Sequence, residues 1–369
     1  MHPTKNMRFY LMEDVEIYNL AMDVISSITN DLNENLYSTV NGTLSVHWLK
    51  DDKFNASAQS RSSVDEPPFH IVNMYFELAR QLYRDIEEYC NYIESECDKH
   101  IFDELFRGIC EYKEILPSNF LKADYRKNMF ISALTWVFFH ELGHLEQEHG
   151  FIRSQLDKSS EYLINECEMY SMEKPQGKDA AISHVTEMAA DYASVSTCIV
   201  ELIGHFEGED LEKAIGVFVC AVSCAIYKFH GKKSLCLDTI PKGTHPLPIV
   251  RLANILPQIW ETFDLAESRN VTKISMNRSD LVRMCNRNAT TVGLFWFRKN
   301  SLSPDSFDDF FLERTIDKSR GKEYMQVIVN TWDEIEPTLT GNRRFNNSLS
   351  LMGFSEHYRK LIFGKNDDK

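Results

Sequence analysis

The stretch that most constrains this chain is Phe139-His140-Glu141-Leu142-Gly143-His144, two histidines and a glutamate set inside an apolar helical pattern. Upstream, Ile131, Leu134, Val137 and Phe138 recur at helical spacing, and Leu142 and Leu145 continue it, which predicts a buried helix. Residues of an α-helix advance by about 100° each, so positions four apart lie about 40° apart. His140 and His144 can therefore aim at one point, with Glu141 beside them. The spacing is H-E-x-x-H, in which two histidines bind zinc and the glutamate reaches a water on the same metal. The plain alternative is a core helix carrying two satisfied histidines. Gly150, after His149, supplies the expected stop.

A second helix is expected to begin near Ser183 and run apolar to Ile203, with Glu187 and Asp191 four apart on one face. That spacing suits a third zinc ligand, Glu187, and a partner, Asp191, that accepts the N–H of a ligand histidine and fixes its tautomer. Other third ligands fit less well. The long metzincin pattern needs Gly and His where Gln147 and Gly150 stand. His149 falls five residues past His144, about 140° around a continuous helix, and is expected to point elsewhere. His184, one turn before Glu187, stays open as a ligand. Further on, Gly243-Thr244-His245-Pro246-Leu247-Pro248 forms a turn before a helix whose first positions tolerate proline, and Arg251 follows. Alone, this would read as a capping turn and a surface arginine.

The chain has 369 residues, 43% hydrophobic and 26% charged, as in a globular protein with a substantial core. A net charge of −15 argues against general nucleic-acid or anionic-membrane binding. Ala214 to Tyr227, the longest uncharged apolar segment, is 14 residues; a bilayer span needs about 20, so a core helix and no membrane insertion are expected. No signal peptide is apparent at the N-terminus. Nine cysteines, an odd number with no Cys-x-x-Cys pair, suit a reduced, cytoplasmic setting.

The organisation expected is α+β and mostly α, in three regions: 1–125, 126–265 and 266–369. In the first, Asn41-Gly42 predicts a hairpin between strand-like Leu36–Val40 and Thr43–Trp48. The polar run Asp51 to Glu66 reads as a loop, and Ile71 to about Tyr112 as one or two long amphipathic helices. Pro117-Ser118-Asn119 breaks the chain before the H-E-x-x-H helix. A polar, acidic connector spans Asp157 to Asp179, with Glu173-Lys174-Pro175-Gln176-Gly177 as its turn. Leu211 to Tyr227 is a further apolar helix. Leu294-Phe295-Trp296-Phe297 reads as core, and the tail from Gly364 as disordered.

The three pieces, in this order, resemble the gluzincin metallopeptidases, especially the group of the CAAX-prenyl endoprotease and the HtpX heat-shock peptidase. That group carries H-E-x-x-H, then E-x-x-x-D on a second helix, then T-H-P and an arginine. Here these are His140 to His144, Glu187 to Asp191, and Thr244-His245-Pro246 with Arg251. The resemblance covers roughly residues 130 to 260. It implies a zincin-like core in 126–265; the helical flanks and the small β element near the N-terminus are expected from the residue patterns alone. The absence of transmembrane helices departs from the membrane members of that group. A soluble H-E-x-x-H chain with long flanks also resembles the phage-exclusion Lit-type peptidases, which would imply a bacterial defence protease acting on a translation factor.

The expected function is a zinc metallopeptidase, a hydrolase of peptide bonds. His140, His144 and Glu187 bind Zn²⁺; Glu141 takes a water's proton and passes it to the leaving amine. The resemblance nominates His245 as oxyanion donor, with Arg251 assisting it or holding a nearby carboxylate. The partner is then a protein or peptide substrate. An activating partner or peptide is a further expectation, motivated by the acidic connector. A zinc module for sensing or regulation, with little proteolysis, is the reading from another class.

Overall fold

In the computed structural model the described residues are 12–106, 115–116, 122–157, 163–165, 175–233, 235, 237–302, 319–345 and 351–364. In chain order they form α1 (Asp14–Asn35), a 3-10 turn (Tyr37–Val40), β1 (Thr43–Leu49), β2 (Ala56–Ser60), β3 (Phe69–Tyr75), α2 (Phe76–Ser95) and α3 (Lys99–Leu105). There follow α4 (Lys122–Glu146), α5 (His149–Asp157), β4 (Leu163–Asn165), α6 (Lys178–His205), α7 (Gly208–His230), α8 (Pro248–Asp264), α9 (Ala266–Thr272) and α10 (Arg278–Lys299). The last two helices are α11 (Ser319–Asn342) and α12 (Glu356–Phe363). The chain is thus α+β and mostly α, as expected. Among the described residues, no helix is long and apolar enough to cross a membrane.

From Met129 onward, helix α4 is buried around most of its circumference. Met129, Phe130, Leu134, Trp136, Val137, Phe138, Leu142 and Leu145 are all buried, so neighbours must surround it. It packs against α6, α7 and α2 and lies on the sheet through β2 and β3. The sheet order is β1-β3-β2-β4, with β1 parallel to β3 and β2 antiparallel to both its neighbours. One hydrophobic core joins Ile17 on α1, Leu82 on α2, Trp136 on α4, Phe218 on α7, Ile255 on α8 and Phe295 on α10. The aromatic run Leu294 to Phe297 is buried, as its composition suggests. A second cluster joins Ile152, Val185, Met188 and Val250 to Tyr324, Ile328, Trp332 and Leu339 of α11. The C-terminal helices are thereby packed on the outer side of α5, α6 and α8.

The N-terminal expectations need correction. Asn41-Gly42 does not turn a hairpin, because Tyr37–Val40 is helical rather than extended. Asn41 takes a left-handed φ of 54°, and the Gly42 N–H donates to the Tyr37 carbonyl. A side chain at Gly42 would meet Pro68 Cγ at 2.6 Å. The pair therefore ends a turn and lets β1 pass close to Pro68, pairing in parallel with β3 from Thr43↔Phe69 onward. Tyr37 is buried, with its hydroxyl 2.7 Å from His70 Nδ1 on β3.

The polar run Asp51 to Glu66 is not all loop, since it contains β2. Ala and Ser have little intrinsic strand preference. Here, pairing on both sides decides the conformation, and fully buried Ala56 and Ala58 are small enough for the strand to lie against α4. Likewise Ile71 to Tyr75 belong to β3, so the helical pattern takes hold only at Phe76. Tyr112, Pro117-Ser118-Asn119, most of the acidic connector and the tail beyond Gly364 lie outside the described residues.

Helix α6 starts at Lys178, five residues before the expected Ser183, because the chain turns at Gly177 (φ 64°). Gly177 N–H donates to the Pro241 carbonyl and Gly243 N–H to the Pro175 carbonyl. These bonds tie the approach to His245 to the start of α6. Gly150 does not stop α4. The break falls at Gln147-Glu148, where Glu148 is left-handed (φ 52°), and a new helix starts at His149. Arg344, just past α11, holds this corner. Its N–H donates to the Glu146 carbonyl, its Nε to the Glu148 carboxylate, and its Nη atoms to the Ser63, Val64 and Glu66 carbonyls.

Candidate metal centre

The site forms where α4 crosses α6. Gly143 allows the crossing, since a Cβ there would lie 3.3 Å from the Ala190 Cα, the Ala190 carbonyl oxygen and the Ala193 Cβ. Ala189, Ala190 and Ala193 present the matching small surface on α6. Close approach of the two backbones brings the one-turn pair on α4 against Glu187.

His140 Nε2 and His144 Nε2 are 3.1 Å apart. Glu187 Oε2 is 3.2 Å from His140 Nε2, and its Oε1 is 3.4 Å from His144 Nε2. All three residues are buried, and together they form a group that could hold a metal ion. One ligand atom from each of the three residues lies within 4.8 Å of the others, close enough for a single ion to reach all three. Protonation points the same way. His140 Nδ1 is 2.9 Å from Asp191 Oδ1, a contact that favours the ring proton on Nδ1 and leaves Nε2 to present a lone pair. A lone pair, a second imidazole nitrogen and a carboxylate converging among buried side chains are a donor set suited to a cation.

Asp191 is held in turn by Arg251, whose Nε and Nη2 donate to its two oxygens at 2.8 and 2.7 Å. The guanidinium also lies 5.5 Å from the centre of the Trp136 ring. Arg251 is buried, so the residue that reads as surface in isolation is the far end of the chain Arg251–Asp191–His140. Burial would raise the Asp191 carboxyl, but Arg251 and His140 more than offset it and hold it below its ordinary value. Glu187 behaves alike: burial is outweighed by His245, His144 and His140, and its carboxyl lies well below the usual range. Burial lowers His144 to about 4, which keeps it neutral, as a metal ligand must be.

His245 reaches the same centre. Its Nε2 is 3.4 Å from Glu187 Oε2, and its Nδ1 is 2.8 Å from Thr244 Oγ1. At 13% side-chain exposure it is the outermost of these groups, whereas Glu141 is fully buried in α4. The structure thus gathers His140, His144, Glu187, Asp191, His245 and Arg251 into one connected cluster. His184 turns its Nδ1 to the Tyr324 hydroxyl at 2.7 Å and is not in the three-donor group.

Two neighbours were not foreseen. Arg153 on α5 donates from Nη2 to Glu187 Oε1 at 2.8 Å and from Nε to Thr186 Oγ1. Nothing in its sequence context distinguishes it from a surface arginine. His149 does not point away: its Nδ1 is 2.8 Å from His144 Nδ1. The 140° offset holds only for an unbroken helix, and the turn at Glu148 swings the ring back. No protein-family model, curated protein or solved structure matches this chain.

Proposed function

We propose that the protein is a zinc-dependent endopeptidase with a zincin-like catalytic core, as its resemblance to the gluzincins implies. The observation that carries this is the buried three-donor group His140, His144 and Glu187 with a carboxylate, Glu141, on the same helix between the two histidines. A structural metal site has no use for that carboxylate.

A zinc ion bound there would supply a Lewis acid that activates water and polarises the scissile carbonyl. The chain's residues then divide the work. Glu141 accepts the water's proton and delivers it to the leaving amine. His245 donates from Nε2 to the oxyanion; for this its Nδ1 must accept from the Thr244 hydroxyl, with which it is in contact. Asp191 fixes the His140 tautomer, and Arg251 keeps Asp191 ionised and oriented. The substrate is an intracellular protein or peptide, in keeping with a bacterial defence or stress protease of the kind the Lit-type and HtpX resemblances imply.

A second reading is favoured by burial. His140 and His144 are 1% exposed, and Glu141 and Glu187 0%. A centre this enclosed suits a zinc-holding regulatory module, or an enzyme that a partner must open.

Elemental analysis of the purified protein beside His140→Ala and Glu187→Ala tests the metal. About one zinc per chain is expected in the wild type, lost in His140→Ala and reduced in Glu187→Ala. A wild type that stays metal-free when zinc is offered would end both readings.

A further inference from the structure

We infer that His149 is a positioning residue for the metal centre: its Nδ1 accepts the Nδ1–H of His144 and so holds His144 with Nε2 turned to the metal. This rests on the metal reading above and extends it to a residue outside the H-E-x-x-H motif.

The geometry requires one donor and one acceptor between the two Nδ1 atoms, which are 2.8 Å apart and buried. If His144 offers its Nε2 lone pair to the ion, its single ring proton is on Nδ1. His149 Nδ1 must then be the acceptor, with its own proton on Nε2. His149 Nε2 has no hydrogen-bond partner among the described residues, so the polar engagement of this ring is with His144. The rings meet edge-on, 4.9 Å between centres and 78° between planes, so the His149 ring lies across the end of His144 rather than stacked on it.

Metal-bound histidines ordinarily give their second N–H to a carboxylate, a carbonyl or water. Asp191 stands where it can do this for His140. For His144, four residues on, an imidazole fills the role. It can do so only because α4 ends at Glu146 and Glu148 turns the chain through a left-handed conformation. That corner is pinned by Arg344 through the Glu146 carbonyl and the Glu148 carboxylate. Arg344, just past α11, thus helps to set the orientation of this ligand.

The test is nuclear magnetic resonance on ¹⁵N-histidine-labelled, zinc-loaded full-length protein, together with zinc affinity by chelator competition. In the wild type, a scalar coupling between the two Nδ1 nitrogens, carried across the N–H···N bond, is expected, with the proton on His144 Nδ1. His149→Phe keeps a ring and removes the acceptor, and should weaken zinc binding by about 10- to 100-fold. His149→Asn, whose amide oxygen falls near the Nδ1 position, should recover most of that loss; a role in packing alone would not be rescued this way. A zinc-loaded wild type with no coupling, or with the His144 proton on Nε2, overturns the assignment even if His149→Phe fails to fold. So does an Asn variant no better than the Phe variant. A wild type that takes up no zinc overturns this proposal and the metal reading together, whereas zinc bound without the coupling overturns this one alone.

Discussion

Asp191 shows how much a single side chain can be asked to do. Its two oxygens take two N–H groups from Arg251, and Oδ1 also lies 2.9 Å from His140 Nδ1. The E-x-x-x-D spacing places it one turn from Glu187, which is why it could be nominated from the sequence. Its bidentate arginine sits 60 residues further on, and no local pattern links the two. Glu141 carries the catalytic part of the proposal. Glu141→Gln keeps the size and removes the basic oxygen, so zinc content should stay at the wild-type level while turnover falls by about 10²- to 10⁴-fold. With a peptide that the wild type cleaves, wild-type turnover by this variant would remove Glu141 as the base.

Among the elements, the crossing of α4 and α6 decides whether the site exists. Both helices are readable from their apolar periodicity, and Gly143 lies within the motif itself. What periodicity cannot say is that Gly143 faces Ala190 and Ala193, so that backbones rather than side chains meet there. Gly143→Ala should force the helices apart by a few tenths of an ångström, at a cost of about 1–3 kcal/mol, and widen the Glu187-to-histidine separations. Denaturant unfolding and zinc competition on the same sample check both effects; unchanged zinc affinity would mean the crossing has slack. The elements read wrongly share one cause. β2, the start of β3 and the turn at Tyr37–Val40 take their conformations from neighbours distant in sequence. Ala56 and Ala58 are strand because β3 and β4 flank them, and Tyr37 is turned inward toward His70.

At the scale of the molecule, buried histidines link stability to pH. Burial lowers His70 to about 3 and His144 and His184 to about 4, and drives His149 well below its ordinary value. Each folded-state value lies below the unfolded one of about 6.5. Between those values the unfolded chain binds protons that the folded one does not, so stability is full above about pH 6.5 and is lost as the pH falls toward 4 and 3. Glu146, raised to about 7 by burial, and Glu148, also raised by burial, act in the opposite sense, but they are two groups against four. The zinc-free protein should therefore unfold at lower urea at pH 4.5 than at pH 7.5, and His70→Gln should shrink the difference. Equal or greater stability at pH 4.5 would contradict the linkage.

The sequence by itself determined the helical class, the pair His140 and His144 one turn apart, Glu187 and Asp191 one turn apart, and the turn that presents His245. These depend on 3.6-residue periodicity, on small spacings, and on proline at a helix start, all of them local. Only the tertiary structure decided that Arg251 ends on Asp191, that Arg153 reaches Glu187, that His149 returns to His144, and that α11 covers the far side of α6. Each of these is a contact between side chains brought together by a helix crossing, a left-handed turn or a second core. The packing free energy that selects such contacts is a property of surfaces that exist only once the chain has folded.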